Sequence, residues 1–159
     1  MGRPEPLSLD TEVDLGMDAY IPEKYISGSA QRIDAYRKIS LITNKDDMYD
    51  VADEFIDRYG DMPKVTDNLL RISLLRALGS EVGISKITAQ TRGVLFTPAK
   101  MNASAWSALA ARNNGRILFS TGISPSVSCK PLKNESNLDC AEKMLKEYIQ
   151  IVNENGWNS

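Results

Sequence analysis

Histidine is absent from all 159 residues, and with it go the commonest general base, the commonest zinc ligand and every Ser-His or Cys-His nucleophile pair. Most hydrolase chemistry is thereby excluded. Only two cysteines are present, Cys129 and Cys140, and neither lies in a CxxC pair. A chain of this length has a core of its own and needs no covalent staple, so two free thiols are expected. The ten glycines are scattered singly and spell neither GxxxxGK[ST] nor GxGxxG. No loop is therefore built to cradle a phosphate, and no nucleotide chemistry is expected within the chain. No apolar run approaches the roughly 18 residues that span a bilayer, and the richest candidate, LLRISLLRALG, is broken by Arg71 and Arg76. The opening MGRPEPLSLD lacks the apolar stretch of a secretory signal. A soluble, cytoplasmic protein with no membrane partner is the expectation.

What is present suits one globular core: 42% hydrophobic, 25% charged and 7% aromatic residues, with no internal repeat, low-complexity segment or long linker. The net charge of −2 hides a division along the chain. Up to Met62 fourteen acids face seven bases, a balance of −7, and from Pro63 onward the balance is +5.

Alternating apolar residues from Leu9 to Ile21 read as a half-buried strand. Ser29 is placed to cap a helix containing Ile33, Tyr36, Arg37 and Ile39, and Asn44 to cap the next, with Asp46 and Asp47 at its positive end. In that second helix Met48, Val51, Ala52, Phe55, Ile56 and Tyr59 recur at the spacing of a core-facing stripe. Gly60 is suited to end it, and Pro63 to start a third helix through KVTDNLLRISLLRALGSEVG. Beyond Gly83 the pattern predicts strands in ISKITAQ and RGVLFTP, a helix in NASAWSALAARN, strands in RILFS and SVSCKPL, and a closing helix from Asn134 to about Asn153. The order of elements predicts a single compact α+β domain, helices packed on a small mixed or antiparallel sheet.

The stretch DEFIDRYGDMP concentrates acid. Asp47, Asp50, Glu54 and Asp57 recur at steps of three, four and three, forming a second stripe on the second helix. Arg58 is the only base between Asp46 and Asp61. A solvated helix face is the plain reading, and a docking surface for arginines is the sharper one. Asp53 and Asp57 as an acid–base pair or magnesium site have no nucleophile, phosphate loop or pocket pattern to support them. A nucleic-acid-binding module is the alternative, drawing on the positive part after Pro63 with Trp106, Phe96 and Phe119 as stacking residues. Those aromatics fall where core packing is the commoner use.

DAYIPEKYISGSAQRIDAYRKIS, residues 18 to 40, followed by ADEFIDRYGDMPKVTDNLLRISLLR, residues 52 to 76, resembles the C-terminal domain of bacterial transcription-repair coupling factor. That family's pattern is a dA-x-IP-x-x-YI segment, an R-x-x-x-Y-R-x-(I/L) helix, then E-(L/F)-x-D-R-(F/Y)-G-x-x-P before a leucine-rich helix. The similarity runs from about Val13 to Ile84, and the later elements agree in order and approximate length. The resemblance implies a regulatory domain excised from a multidomain ATPase, with residues 1–6 readable as an added leader. The parent is expected to be an ATP-dependent DNA translocase that displaces stalled RNA polymerase and recruits nucleotide-excision repair. ATP and magnesium belong to its motor domains, so this domain is expected to be non-catalytic, with no cofactor or metal of its own. It is expected to dock on a module resembling excinuclease B, mask that module's surface for excinuclease A, and restrain the motor. RNA polymerase and DNA are reached only through the parent. Glu54 and Asp57 fall on the family's acidic contact positions, with Asp47 and Asp50 as neighbours in the same stripe. Arg58 has a structural alternative, tying the helix to its neighbour.

Overall fold

The computed structural model describes residues 10–120 and 124–156. Leu9 and the leader assigned to residues 1–6 lie outside them. The chain divides into two compact units, residues 17–78 and residues 1–16 with 79–159.

The unit of residues 17–78 is helical. Helix α1 is Ser29–Ser40, α2 is Lys45–Tyr59 and α3 is Lys64–Glu81, of which the part through Leu78 belongs here. Ile21, Ile26, Ala35, Ile39, Ile42, Phe55, Leu70 and Leu74 form the core, and Met48, Val51, Ala52 and Tyr59 pack against it. The stripe on α2 thus faces inward as its spacing predicts, except for Ile56, which is 45% exposed. Its flank position puts it at the margin of the stripe rather than in it. Ser29 is the first residue of α1 and not its cap: Gly28 is the N-cap and makes no side-chain cap bond. Asn44 does cap α2, its side chain accepting from the backbone of Asp47 at 2.8 Å. Gly60 ends α2 with φ +87° and donates to Ile56, a conformation that glycine adopts without steric cost. The Pro63 carbonyl accepts from Thr66 and Asp67, setting the first turn of α3.

The strand predicted from Leu9 to Ile21 is confined to β1, Glu12–Asp14. Gly16 turns the chain at φ +68°, its N–H bonded to the Asp14 carboxylate. Farther on, the polar groups of the backbone are satisfied by α3 instead of a sheet. Tyr20 donates to the Val65 carbonyl, Thr66 donates to the Tyr20 carbonyl, and the Asn68 amide donates to the Asp18 carbonyl. Hydrophobic alternation describes exposure along an extended chain, and an extended chain can be held by a helix end as well as by a strand.

The second unit is a five-stranded mixed sheet with two helices. Its strands are β1, β2 (Ile84–Gln90), β3 (Gly93–Pro98), β4 (Ile117–Ser120) and β5 (Ser126–Cys129), and its helices α4 (Ala103–Arg112) and α5 (Asn137–Glu154). The spatial order is β1-β2-β3-β5-β4. β1 runs parallel to β2, and the other neighbours are antiparallel. The fold is therefore α+β, as the order of elements predicts. Ile87, Phe96 and Val127 are paired across adjacent strands and fully buried. A bulge between Ile84 and Lys86 puts Ile84 inside as well, though it stands three residues before Ile87. Phe96 lies 5.8 Å from Trp106 of α4, which stacks at 4.0 Å on Tyr148 of α5. Gly93 has φ +145°, and a Cβ there would stand 2.4 Å from the Cys129 carbonyl, so only glycine lets β3 approach β5 at that point. Helix α5 begins three residues later than predicted, because Asn134 takes φ +67° and Ser136 is the cap, accepting from Asp139.

Candidate functional site

The acidic face of α2 is built on a helix whose start is fixed by two reciprocal caps. Asn44 accepts from the Asp47 N–H, while the Asp47 carboxylate accepts from the Thr43 backbone at 3.1 Å and the Thr43 hydroxyl at 2.9 Å. One oxygen of Asp47 is therefore engaged in ordering the helix end. Phe55 anchors the opposite side in the core, which turns Asp50, Glu54 and Asp57 outward together.

Glu54 is not a free acid. Its Oε2 accepts from the Lys38 ammonium of α1 and from Arg58 at 3.2 Å, and Lys38 also stands 3.4 Å from Asp34, one turn earlier on its own helix. The Lys38 hydrogen bond, aided by Arg58, holds the Glu54 carboxyl below the ordinary carboxylate range, and the Glu54 hydrogen bond, with Asp34 behind it, holds the Lys38 ammonium above the ordinary lysine range. Both side chains are about one-third exposed, so water screens the pair and its net contribution to stability is small. Asp50 and Asp57 are exposed and make no hydrogen bond or ion pair among the described residues.

The structure thus brings all four carboxylates of the stripe to one helix but gives them different occupations. Arg58 pairs within its own helix and lies 5.1 Å over the Tyr59 ring. The tie from α2 to its neighbour comes from Lys38, which sequence reasoning did not single out. A signal was available. The four-residue connection between α1 and α2 makes the helices neighbours, and Lys38 at the end of α1 follows Asp34 by one turn. Beside this cluster, Lys38, Leu41, Ile42, Asp47, Asp50, Val51 and Glu54 line an open groove.

Among the other candidates, Trp106 and Phe96 are 1% and 0% exposed, so neither can stack on a base. Phe119 is 38% exposed, at the edge strand β4. Cys129 and Cys140 are free and buried. No helix among the described residues is long and apolar enough to cross a membrane. The division of charge along the sequence is not a division between the units: residues 17–78 carry eleven acids and nine bases.

Fold and face together define a small α+β domain presenting one acidic helix. The TRCF domain family matches residues 15–108, and the chain belongs to that family. It is 32% identical over 89 residues to the transcription-repair-coupling factor of Staphylococcus epidermidis, 56% of this chain and 8% of that protein. To that of Bacillus subtilis it is 31% identical over 88 residues, 55% of this chain and 8% of that protein. The match to the Staphylococcus aureus factor is 36% identical over 85 residues, 54% of this chain and 7% of that protein. The chain matches less than a tenth of the length of these relatives. The crystal structure of the C-terminal domain of transcription-repair coupling factor superposes with a TM-score of 0.79 at 22% identity, covering 91% of this chain and 95% of that one. That likeness covers more of the chain than the family match, which ends at residue 108.

Proposed function

We propose that this chain is a non-catalytic regulatory domain of a transcription-repair coupling factor, docking through α2 on the excinuclease-B-like module of its own parent. In that position it masks the module from excinuclease A and restrains the motor, whose ATP and magnesium lie in other domains. RNA polymerase and DNA are engaged by the parent. The observation that carries the reading is the pair Asp50 and Asp57, outward-facing and without partners among the described residues, flanking Glu54 on a helix already ordered by its caps. Carboxylates so presented cost little to hold in place and await a cation.

If docking removes a carboxylate–arginine pair from water, breaking that pair costs about 2 to 5 kcal/mol, against under about 1 kcal/mol for a pair at the rim. About 1.4 kcal/mol already shifts the equilibrium tenfold. The test is capture of excinuclease A by the full-length parent, wild type against the Glu54→Arg, Asp57→Arg double variant. Increased capture is expected. Unchanged capture with unchanged melting would mean that the face is merely solvated.

A further inference from the structure

Asn-Gly occurs twice in the chain, at Asn114–Gly115 and at Asn155–Gly156. In such a pair the asparagine side chain reaches the next backbone nitrogen with least hindrance, because glycine carries no Cβ. The structure treats the two pairs differently. Asn114 and Gly115 are the exposed tip of the connection between α4 and β4. The Arg116 N–H donates to the Asn113 carbonyl at 2.9 Å, and Gly115 takes φ +72°, the arrangement of a type II turn. That turn uses neither the Gly115 N–H nor the Asn114 side chain, and neither has a hydrogen-bond partner among the described residues. A Cβ on Gly115 would meet no atom within 4 Å, so nothing packs against the tip.

At the second pair both groups are engaged. The Asn155 amide donates to the Ile151 carbonyl at 2.8 Å, and the Gly156 N–H donates to the Asn153 carbonyl at 3.4 Å. Asn113, beside the open pair, is buried and donates to the Leu109 carbonyl at 2.9 Å.

From these contacts we infer that Asn114 is a site of spontaneous deamidation, selected by the fold over Asn155. The Gly115 nitrogen attacks the side-chain carbonyl carbon of Asn114 and forms a C–N bond. The bond to the amide nitrogen breaks, and that nitrogen leaves as ammonia with the proton that Gly115 gives up. Water then opens the five-membered ring. Attack at the side-chain carbonyl gives aspartate, and attack at the main-chain carbonyl gives isoaspartate, in which the chain runs on through the β-carbon. The extra backbone atom falls inside the turn that Arg116 closes. Arg116 also donates to the Lys130 carbonyl and to Glu135 at 3.0 Å each, so the isoaspartyl form loosens a clamp that the aspartyl form leaves in place.

The experiment is to hold the purified chain in mildly alkaline buffer, folded or unfolded in urea, and to digest it with trypsin at intervals. Cleavage after Arg112 and Arg116 releases residues 113–116, and cleavage after Lys146 releases the peptide that carries Asn155. In the folded chain the first peptide should gain the mass of an amide turned acid about tenfold faster than the second, the scale of the two hydrogen bonds that Asn155 and Gly156 must give up. In urea the two should convert alike. Equal conversion in the folded chain, or none at residues 113–116, would overturn the site. So would conversion that survives Asn114→Gln, which would place the reaction at Asn113. The aged isoaspartyl fraction should unfold at a lower urea midpoint than fresh chain, while Asn114→Asp should not. Equal midpoints for all three would overturn the effect on the Arg116 clamp.

Discussion

The hydroxyl of Tyr25 lies 2.8 Å from the carbonyl of Gly60, 35 residues away, and 3.2 Å from the carbonyl of Phe55. It therefore donates at the C-terminal end of α2, where the last turn leaves carbonyls without helical partners. The ring meets Tyr59 edge-on at 5.8 Å. Tyr25→Phe keeps the ring contact and removes the donor, so the expected loss is about 1 kcal/mol, read as a lower urea midpoint with an unchanged slope.

Phe55 is 1% exposed in the centre of the helical core. Phe55→Ala should destabilise the chain by about 3 to 5 kcal/mol. A denaturant melt giving less than about 1 kcal/mol would mean that the inner and outer faces of α2 are assigned the wrong way round.

Arg116 joins three connecting segments of the sheet unit, those just after α4, just after β5 and just before α5. It donates to the Lys130 carbonyl at 3.0 Å, to Glu135 at 3.0 Å and to Asn113 at 3.4 Å, while Glu135 also accepts from the Leu132 N–H. The ion pair is only 16% and 14% exposed. Arg116→Ala strands a carboxylate in poor solvent and should cost about 3 kcal/mol, the lower end for a broken buried pair. The Arg116→Ala, Glu135→Ala double variant should recover part of that loss, and a melt showing simple additivity would argue that the two residues do not act together.

Burial pushes the Cys129 thiol up to about 12, the Cys140 thiol to about 11 and the Tyr148 hydroxyl to about 12. Each group keeps its proton in the folded chain after the unfolded chain has lost it. The unfolded state then binds fewer protons, so stability falls as pH rises. The melting temperature should begin to decline near pH 9, the ordinary thiol value, and decline more steeply past 10, the ordinary tyrosine value. Replacing both cysteines by alanine should flatten the first part of that decline. A wild-type melting temperature constant to about pH 11 would contradict the burial of these groups.

The elements after Gly83 were legible because each carries its own local signal. The span ISKITAQ coincides with β2, and Asn102, the first residue of NASAWSALAARN, caps α4. What stayed illegible was anything decided by a partner distant in sequence. The extended segment after Gly16 shows the alternation of a strand, yet its hydrogen bonds end on Thr66 and Asn68. The bulge that places both Ile84 and Ile87 inside breaks the two-residue alternation of β2, but the break alone does not say which strand accommodates it; that is set by pairing with β3. At the acidic face, the four carboxylates are visible from helical spacing alone. Their unequal availability is not, because Lys38, one of the two cations on Glu54, comes from another helix.

The parallel pairing of β1 with β2 couples Val13 to Ile87 and makes the sheet unit discontinuous in the chain. During synthesis the helical residues 17–78 are complete before any partner of β1 exists, so they can fold first while β1 waits. Closing that long loop is an entropic delay that the locally connected helices do not face. Until then β1 is a nascent strand with open edges, the kind of segment that seeds mispairing between chains. Its three-residue length and the exposed carboxylates of Glu12 and Asp14 make it a poor template for such mispairing.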